Sequence, residues 1–110
     1  MEKDPNGLDP HSAGAKLDAG KADASLLLSF GKALNAVAEI ATFGANKYTR
    51  NGWISVPQGV DRYTAALMRH LLKETYEPCC PDSQLHHAAH AAWNALARLE
   101  LMLRNEKEKQ

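Results

Sequence analysis

The sequence has no net charge, no long apolar run and no signal for export. Its 13 Lys and Arg residues balance 13 Asp and Glu residues, so no overall field attracts a nucleic-acid polymer or a membrane surface. No apolar run approaches the ~20 residues that cross a bilayer. The opening "MEKDPNGLDPHSAGAK" lacks the apolar segment of a signal peptide. These absences predict a cytoplasmic protein that binds neither membranes nor nucleic-acid polymers.

Cysteine is also scarce, and its placement is unfavourable for a structural role. The two cysteines, Cys79 and Cys80, are adjacent, which is poor geometry for an ordinary disulfide. In a cytosolic protein both are expected to be reduced. Cys80 with His87 and His90 could form a zinc set, but no second cysteine stands at a standard zinc spacing. Cysteine chemistry is therefore a weak basis for function.

No segment alternates convincingly as a strand, whereas most of the chain has helical periodicity. Residues 1–24, rich in Gly, Asp, Lys and Ala, are predicted to be an irregular N-terminal arm without its own core. Residues 25–110 are predicted to form an all-α domain, a small bundle of three main helices. The first ends near Gly44, the second begins at Asp61 and ends by Pro78, and the third begins at Asp82 or Ser83.

Each predicted helix has an apolar stripe that we expect to be buried. The stripes are, in chain order, Phe30, Leu34, Val37 and Ala41; Tyr63, Leu67 and Leu71; and Leu85, Ala89, Ala92, Leu96, Leu99 and Leu103. The third helix also carries Ala88, Ala91, Ala95 and Ala97 around its leucine seam. Small residues on several sides let other helices approach, which predicts a homodimer or larger oligomer. The alternative is that alanine only favours the helix.

Four of the five histidines, both cysteines and three carboxylates lie within residues 69–93, "RHLLKETYEPCCPDSQLHHAAHAAW". His70, Glu74 and Glu77 share one stripe of the second helix, because they stand at i, i+4 and i+7. If the next helix packs antiparallel across "EPCCPDS", the following side chains could converge: Glu74, Glu77, Asp82, His87 and His90. Mixed imidazole and carboxylate ligands suit Mn²⁺, Zn²⁺, Fe²⁺ or Ni²⁺, and carboxylates with water suit Mg²⁺. Alternatively, the histidines cap a helix end or hydrogen-bond one another.

Several short motifs resemble one family when they are taken in order. "GAKLDAGKADASLLL", "FGANKY", "NGW", "RYTAALMRHLL" and "LHHAAHAAW" follow one another as in the phage-associated dATP/dGTP diphosphohydrolase N-terminal domain family. Its members resemble the all-α, MazG-like nucleotide pyrophosphohydrolases. The resemblance implies metal-assisted hydrolysis of a purine deoxynucleoside triphosphate to monophosphate and pyrophosphate, in the host cytoplasm if the protein is phage-encoded.

The resemblance also implies roles for individual residues. Nucleotide-binding residues would be Lys16, Asp18, Lys21, Lys47, Tyr48, Trp53, Arg62, Tyr63 and Arg69. Metal ligands would be His70, Glu77, His87 and His90, around a divalent cation such as Mg²⁺ or Mn²⁺. Catalytic acids or bases would be Glu74, Glu77 and Asp82. The chemistry suits these roles, since Arg and Lys neutralise phosphates and an aromatic ring stacks on a base.

The chain departs from the family pattern between the second and third helices. The family's turn usually reads like "GExxDxxSG", and its Asp falls on Cys80 here or is replaced by Asp82. The paired acids of MazG-like enzymes are also absent, and Glu39 stands alone on the first helix. A two-metal centre needs enough anionic ligands. The alternatives are therefore a catalytically silent nucleotide binder and, in a different class, a structural interaction module.

Overall fold

A computed structural model describes residues 2–108 of the chain, with side chains to residue 106. It contains three α-helices: α1 (Gly31–Lys47), α2 (Gly59–Glu74) and α3 (His87–Glu108). Two 3-10 helices, Ala24–Phe30 and Gly52–Ser55, precede α1 and α2. Within residues 2–108 the only β-structure is two isolated bridges, Lys3 with Ala19 and Cys79 with His86. The predicted all-α class is confirmed.

The chain divides into two compact units, Met1–Phe30 and Gly31–Gln110. The predicted boundary lay after residue 24, and the predicted ranges include Met1 and residues 109–110, which are outside the described part. In the first unit Asp4 is buried and accepts the backbone N–H groups of Asn6 at 2.7 Å and Lys16 at 2.6 Å. The Lys16 hydrogen bond in particular lowers the pKa of Asp4. A buried carboxylate, rather than apolar side chains, therefore organises this unit.

The helix ends differ from the predicted ones. α1 runs past Gly44 to Lys47, and α2 begins at Gly59, following Gln58 in the left-handed conformation (φ 57°). α3 begins at His87 rather than next to Ser83, because the preceding residues make their own backbone hydrogen bonds. Cys80 N–H donates to Leu85 O at 2.8 Å. These bonds form a compact turn that replaces the first predicted turn of α3.

Within the single chain, the predicted burial of the α3 leucines is wrong, whereas Ala89 of the same seam is buried as predicted. The buried side chains of α3 are His87, Ala89, His90, Ala91, Asn94 and Ala97. The leucine seam is open to solvent instead, with Leu96 50%, Leu99 49% and Leu103 49% exposed. α3 packs mainly against α2, and buried His87 on this face of α3 lies 2.8 Å from His70 of α2, Nδ1 to Nδ1. An apolar stripe identifies a surface that needs cover, but it does not specify that the cover comes from the same chain.

The stripes of the first two helices are also less buried than predicted. Phe30, Leu34 and Leu71 are exposed, and on α1 only Ile40 is buried among the described residues. Polar contacts contribute to the α2–α3 packing: Arg98 Nε donates to Thr64 Oγ1 at 2.8 Å, and that hydroxyl donates to Val60 O at 2.7 Å. The single chain therefore leaves much of its apolar surface uncovered.

One helical segment, Ala24–Lys47, is long and apolar enough to cross a membrane by length and composition, with a mean hydropathy of 1.3 over 18 residues. No such run was predicted from the sequence. A single segment is weak support for membrane insertion, since core helices of soluble proteins and signal sequences meet the same criteria. The finding leaves no strong indication of a membrane protein.

Candidate nucleotide pocket

The second unit contains a cavity of about 910 Å³ between its three α-helices and the loop that follows α1. A cavity of this size holds a small ligand such as a nucleotide. Four cationic side chains lie in its wall, Lys47, Arg50, Arg62 and Arg69, whereas Asp82 is its one carboxylate among the described residues. The excess of positive charge favours an anionic ligand.

Three aromatic side chains meet edge to face at one part of the cavity wall. The ring centroids of Trp53 and Trp93 are 5.9 Å apart, and those of Tyr63 and Trp93 are 5.6 Å apart. Tyr63 Oη donates to Trp53 O at 3.2 Å, which ties the loop to α2. Burial raises the pKa of Tyr63, so the phenol keeps its proton. The cluster offers aromatic faces on which a nucleobase can stack.

Among the cationic side chains of the pocket, Lys47 forms an ion pair with Asp82. Its Nζ lies 2.7 Å from Asp82 Oδ2, and this hydrogen bond raises the pKa of Lys47. The same ammonium lies 5.7 Å from the ring centre of Phe43 and 5.4 Å from that of Tyr48. The ion pair links the end of α1 to the loop between α2 and α3, so a bound phosphate would compete with Asp82 for this lysine.

A chain of hydrogen bonds joins α2, the following loop and the start of α3. His70 Nδ1 lies 2.8 Å from His87 Nδ1, and His87 Nε2 lies 2.8 Å from Glu77 Oε1. His87 is completely buried, whereas His70 lies in the cavity wall. The network therefore runs from the loop carboxylate, through a buried imidazole, to an imidazole that faces the pocket.

His90 lies directly beside this network. Its ring is stacked on His70, with centroids 4.4 Å apart and planes 7° apart, and its Nε2 is 2.6 Å from Ser83 Oγ. Burial lowers the pKa of His90, and burial with the neighbouring His90 and His87 lowers the pKa of His70 to about 4. Both rings are therefore neutral at neutral pH, which avoids like charges at this short distance.

The predicted metal ligands do not fit a metal centre in this arrangement. Among residues 2–108, no three or more His, Cys, Asp or Glu side chains are grouped so that they could hold a metal ion. The Nδ1 atoms of His70 and His87 are 2.8 Å apart, closer than the about 3.3 Å expected for two nitrogens on a tetrahedral zinc ion. These side chains hydrogen-bond one another, as in the alternative raised from the sequence.

The structure brings part of the predicted site together. Nine predicted residues lie in the cavity wall: Lys47, Tyr48, Trp53, Arg62, Tyr63, Arg69, His70, Asp82 and His90. Glu77 and His87 lie behind His70, and Glu74 is exposed on α2. Lys16, Asp18 and Lys21 belong to the other unit, where Lys21 pairs with Glu2 at 2.7 Å.

Several residues of the cavity wall were not predicted from the sequence. Arg50 lies beside the "NGW" motif, and Asn94 lies one turn after His90, with its Nδ2 donating to His90 O at 2.8 Å. Trp93, to which the sequence assigned no role in binding, also lines the cavity. Arg50 could have been predicted from its position between two pocket residues, Tyr48 and Trp53, because the loop that connects them is too short for Arg50 to lie far from the pocket.

A comparison with protein-family models gives a match to the family described as dATP/dGTP diphosphohydrolase, N-terminal, over residues 11–110. Comparisons with curated proteins and with solved structures give no match. The matched region includes every side chain in the pocket and the network behind His70.

Proposed function

Because the chain belongs to the dATP/dGTP diphosphohydrolase N-terminal family, we propose that its pocket binds a purine deoxynucleoside triphosphate and supports its hydrolysis to monophosphate and pyrophosphate. The family description concerns the N-terminal part of such enzymes, so activity in this chain is part of the proposal. The observation that carries it is the cavity in which four cationic side chains lie beside an aromatic cluster.

The two parts of the wall suit the two parts of a nucleotide. Trp53, Tyr63 and Trp93 offer rings for the base, since stacking contributes ~1–3 kcal/mol per base. Arginine forks and a lysine can neutralise phosphate oxygens. A divalent cation, Mg²⁺ or Mn²⁺, belongs to the proposal as the ion that accompanies a triphosphate. No step is assigned to it, because the described donors are not grouped around a common centre.

Binding and turnover are tested together with purified protein. Each of the four deoxynucleoside triphosphates is titrated calorimetrically with Mg²⁺ or with EDTA, and pyrophosphate release is followed with Mg²⁺ or Mn²⁺. We expect dATP and dGTP to bind and release pyrophosphate, and dCTP and dTTP to do so more weakly. If no triphosphate binds, the proposed function is wrong, and a structural interaction module becomes the better interpretation.

A matched pair of lysine variants tests the location of the site. Lys47→Gln removes a cation from the pocket wall, whereas Lys32→Gln removes an exposed cation on the same helix outside that wall. We expect only Lys47→Gln to weaken triphosphate binding, on the order of two- to tenfold, in line with the about 0.5–1.5 kcal/mol that an ordinary hydrogen bond contributes. If Lys47→Gln and Lys32→Gln weakened triphosphate binding equally, the phosphates would not bind at Lys47.

The second candidate function is a catalytically silent nucleotide binder in the cytoplasm. The observation that favours it is that the predicted metal ligands hydrogen-bond one another. This candidate predicts that dATP or dGTP raises the melting temperature with EDTA present and is recovered chemically intact. Recovery of the monophosphate, with wild-type protein and Mg²⁺, would eliminate it.

A further inference from the structure

Asn94 of α3 combines deep burial with a place in the wall of the nucleotide cavity. Only 6% of the residue is exposed, and it directly follows Trp93 of the aromatic cluster. A side-chain amide has hydrogen-bonding groups on its nitrogen and its oxygen, and a buried group that stays unpaired costs free energy. The partners of these two atoms therefore indicate what the residue does.

One hydrogen bond fixes the orientation of this amide. Asn94 Nδ2 donates to His90 O, one helical turn earlier, at 2.8 Å. A carbonyl oxygen only accepts hydrogen bonds, so the amide atom that faces it must be the nitrogen. Asn94 Oδ1 consequently points away from that carbonyl, at a position that the rigid helix defines.

Oδ1 of Asn94 is open to the cavity. It accepts no hydrogen bond from any described residue, whereas Nδ2 of the same amide is paired. No buried side-chain nitrogen or oxygen within residues 2–106 lacks a partner, so this oxygen reaches solvent although the residue as a whole is buried. Because Asn94 lies in the cavity wall, the cavity presents an uncharged acceptor beside its aromatic rings.

Packing between helices does not require this oxygen. An apolar side chain would fill the same space without an open acceptor in a mostly desolvated position. The hydrogen bond to His90 O adds little to α3, because the helix already uses the carbonyls of its inner turns. A mostly buried amide with one open end is therefore better explained by a ligand that donates to it.

We propose that Asn94 Oδ1 accepts a hydrogen bond from the exocyclic amino group of a purine base stacked on the aromatic cluster. The inference rests on the proposed binding of a purine deoxynucleoside triphosphate, and it makes Asn94 a residue that selects the base. The amino group is a hydrogen-bond donor that adenine and guanine both carry. A base without it would leave the oxygen of Asn94 unpaired in the complex.

A single acceptor also predicts that the two purines bind unequally. Adenine carries its amino group at C6, whereas guanine carries its amino group at C2. A base in one stacked orientation brings only one of these positions to Asn94 Oδ1. There the other purine presents a carbonyl oxygen or a C–H group, neither of which replaces the N–H donor. The affinities for dATP and dGTP should therefore differ.

Base analogues test the proposal with the wild-type protein. Calorimetric titrations with Mg²⁺ compare dATP with purine deoxyriboside triphosphate, and dGTP with deoxyinosine triphosphate, since each analogue lacks only the amino group. We expect the preferred purine to bind about tenfold more tightly than its analogue. Equal affinities within both pairs would overturn the role of Asn94 while the proposed function stands. If no triphosphate binds, the proposed function and this inference are both wrong.

A matched pair of variants assigns the amino group to Asn94. Asn94→Leu keeps a similar shape and removes the acceptor, whereas Asn35→Leu alters an exposed asparagine of α1 outside the cavity wall. In Asn94→Leu the advantage of the amino group should fall to about twofold or less, as expected when the hydrogen bond is lost. Asn35→Leu should retain the full advantage. A full advantage in Asn94→Leu would overturn the proposal.

Circular dichroism and melting temperature establish first that the buried substitution is folded. Asn94→Ala, which cannot clash with its neighbours, replaces Asn94→Leu if the larger side chain prevents folding, and the same result is expected of it.

The 3′-hydroxyl of the sugar is another donor close to the base, and a 2′,3′-dideoxy analogue of the preferred purine distinguishes it. Loss of the 3′-hydroxyl should change the affinity of the wild type and of the Asn94 variant equally. If it weakens binding only in the wild type, Asn94 binds the sugar and the proposal is wrong.

Discussion

His70 is the residue at which the pocket and the buried network meet. One of its ring nitrogens is bonded to His87, its face lies on His90, and its edge belongs to the cavity wall. Burial and its histidine neighbours lower the pKa of His70 to about 4. A single side chain therefore couples the chemistry of the pocket to the stability of the fold.

That pKa predicts a pH dependence of stability. Between pH 6.5 and about 4 an unfolded chain binds a proton at this histidine, whereas the folded protein does not. The free energy of unfolding should therefore fall as the pH is lowered through this window, and His90, whose pKa is also lowered, contributes in the same direction. Urea denaturation at pH 7.5 and pH 5 measures the difference.

The matched variant in this experiment is His70→Gln, which removes the titrating ring. Its free energy of unfolding should change less between the two pH values than that of the wild type. Equal or greater stability of the wild type at pH 5 would show that His70 and His90 are not shielded from protons as the structure indicates.

Among the elements, α1 and the loop between α2 and α3 are linked by the ion pair of Lys47 with Asp82. Both side chains lie in the cavity wall, so the link closes one side of the pocket while it occupies a cation that a phosphate would use. Both side chains are also partly exposed, with 43% and 58% of their surfaces accessible, which limits the contribution of the pair to stability.

Removing the carboxylate should therefore favour the ligand. Asp82→Asn frees Lys47 and removes the one described negative charge from the wall, so triphosphate binding should tighten on the order of two- to fivefold. The gain should shrink at high salt, because the charges are exposed. Calorimetric titration of dGTP at two salt concentrations measures both effects. Weaker binding in Asp82→Asn would indicate instead that Asp82 holds a cation or the nucleotide.

For the whole molecule, the uncovered leucines are the main feature. Leu96, Leu99 and Leu103 line one side of α3, beside a second groove of about 500 Å³ that Leu34 and Val37 of α1 also line. Burial of such surface contributes about 25 cal/mol per Å². A chain of this length gains much from a partner that covers it, and a homo-oligomer remains our prediction.

Because the leucines of α3 are exposed, a substitution among them is the best test of the predicted homo-oligomer. Leu99→Glu places a charge on an exposed position of α3, so it should dissociate the oligomer while helix content is retained. Ala91, one of the small residues from which the sequence predicted contact between subunits, is 5% exposed, and a glutamate there should unfold the chain instead. Light scattering and circular dichroism at micromolar concentration distinguish these outcomes. A monomeric wild type would contradict the prediction.

The sequence was sufficient for the features that depend on local order along the chain. Period and composition predicted three helices without strands, and the ordered motifs predicted the family. Motif positions also predicted pocket residues such as Lys47 and Arg69, because each is attached to a helix or loop whose location follows from the family pattern. Arg50 was missed because it belongs to no helical period and no family motif, and only its position between Tyr48 and Trp53 indicated that it lies near the pocket.

The tertiary structure alone decided which face of α3 is internal and how the imidazoles are bonded. Periodicity identifies a stripe, but either the leucine seam or the small polar face of α3 can be internal, and in the structure the small polar face, with Ala91 and Ala97, is the buried one. Likewise, the spacing of His70, Glu77 and His87 along the sequence predicted that they lie near one another. It did not show whether they bind a cation or hydrogen-bond one another. The answer depends on differences of a few tenths of an ångström in the distances between the donor atoms. Those distances follow from the register of the two helices and from the turn before α3, and not from residue order.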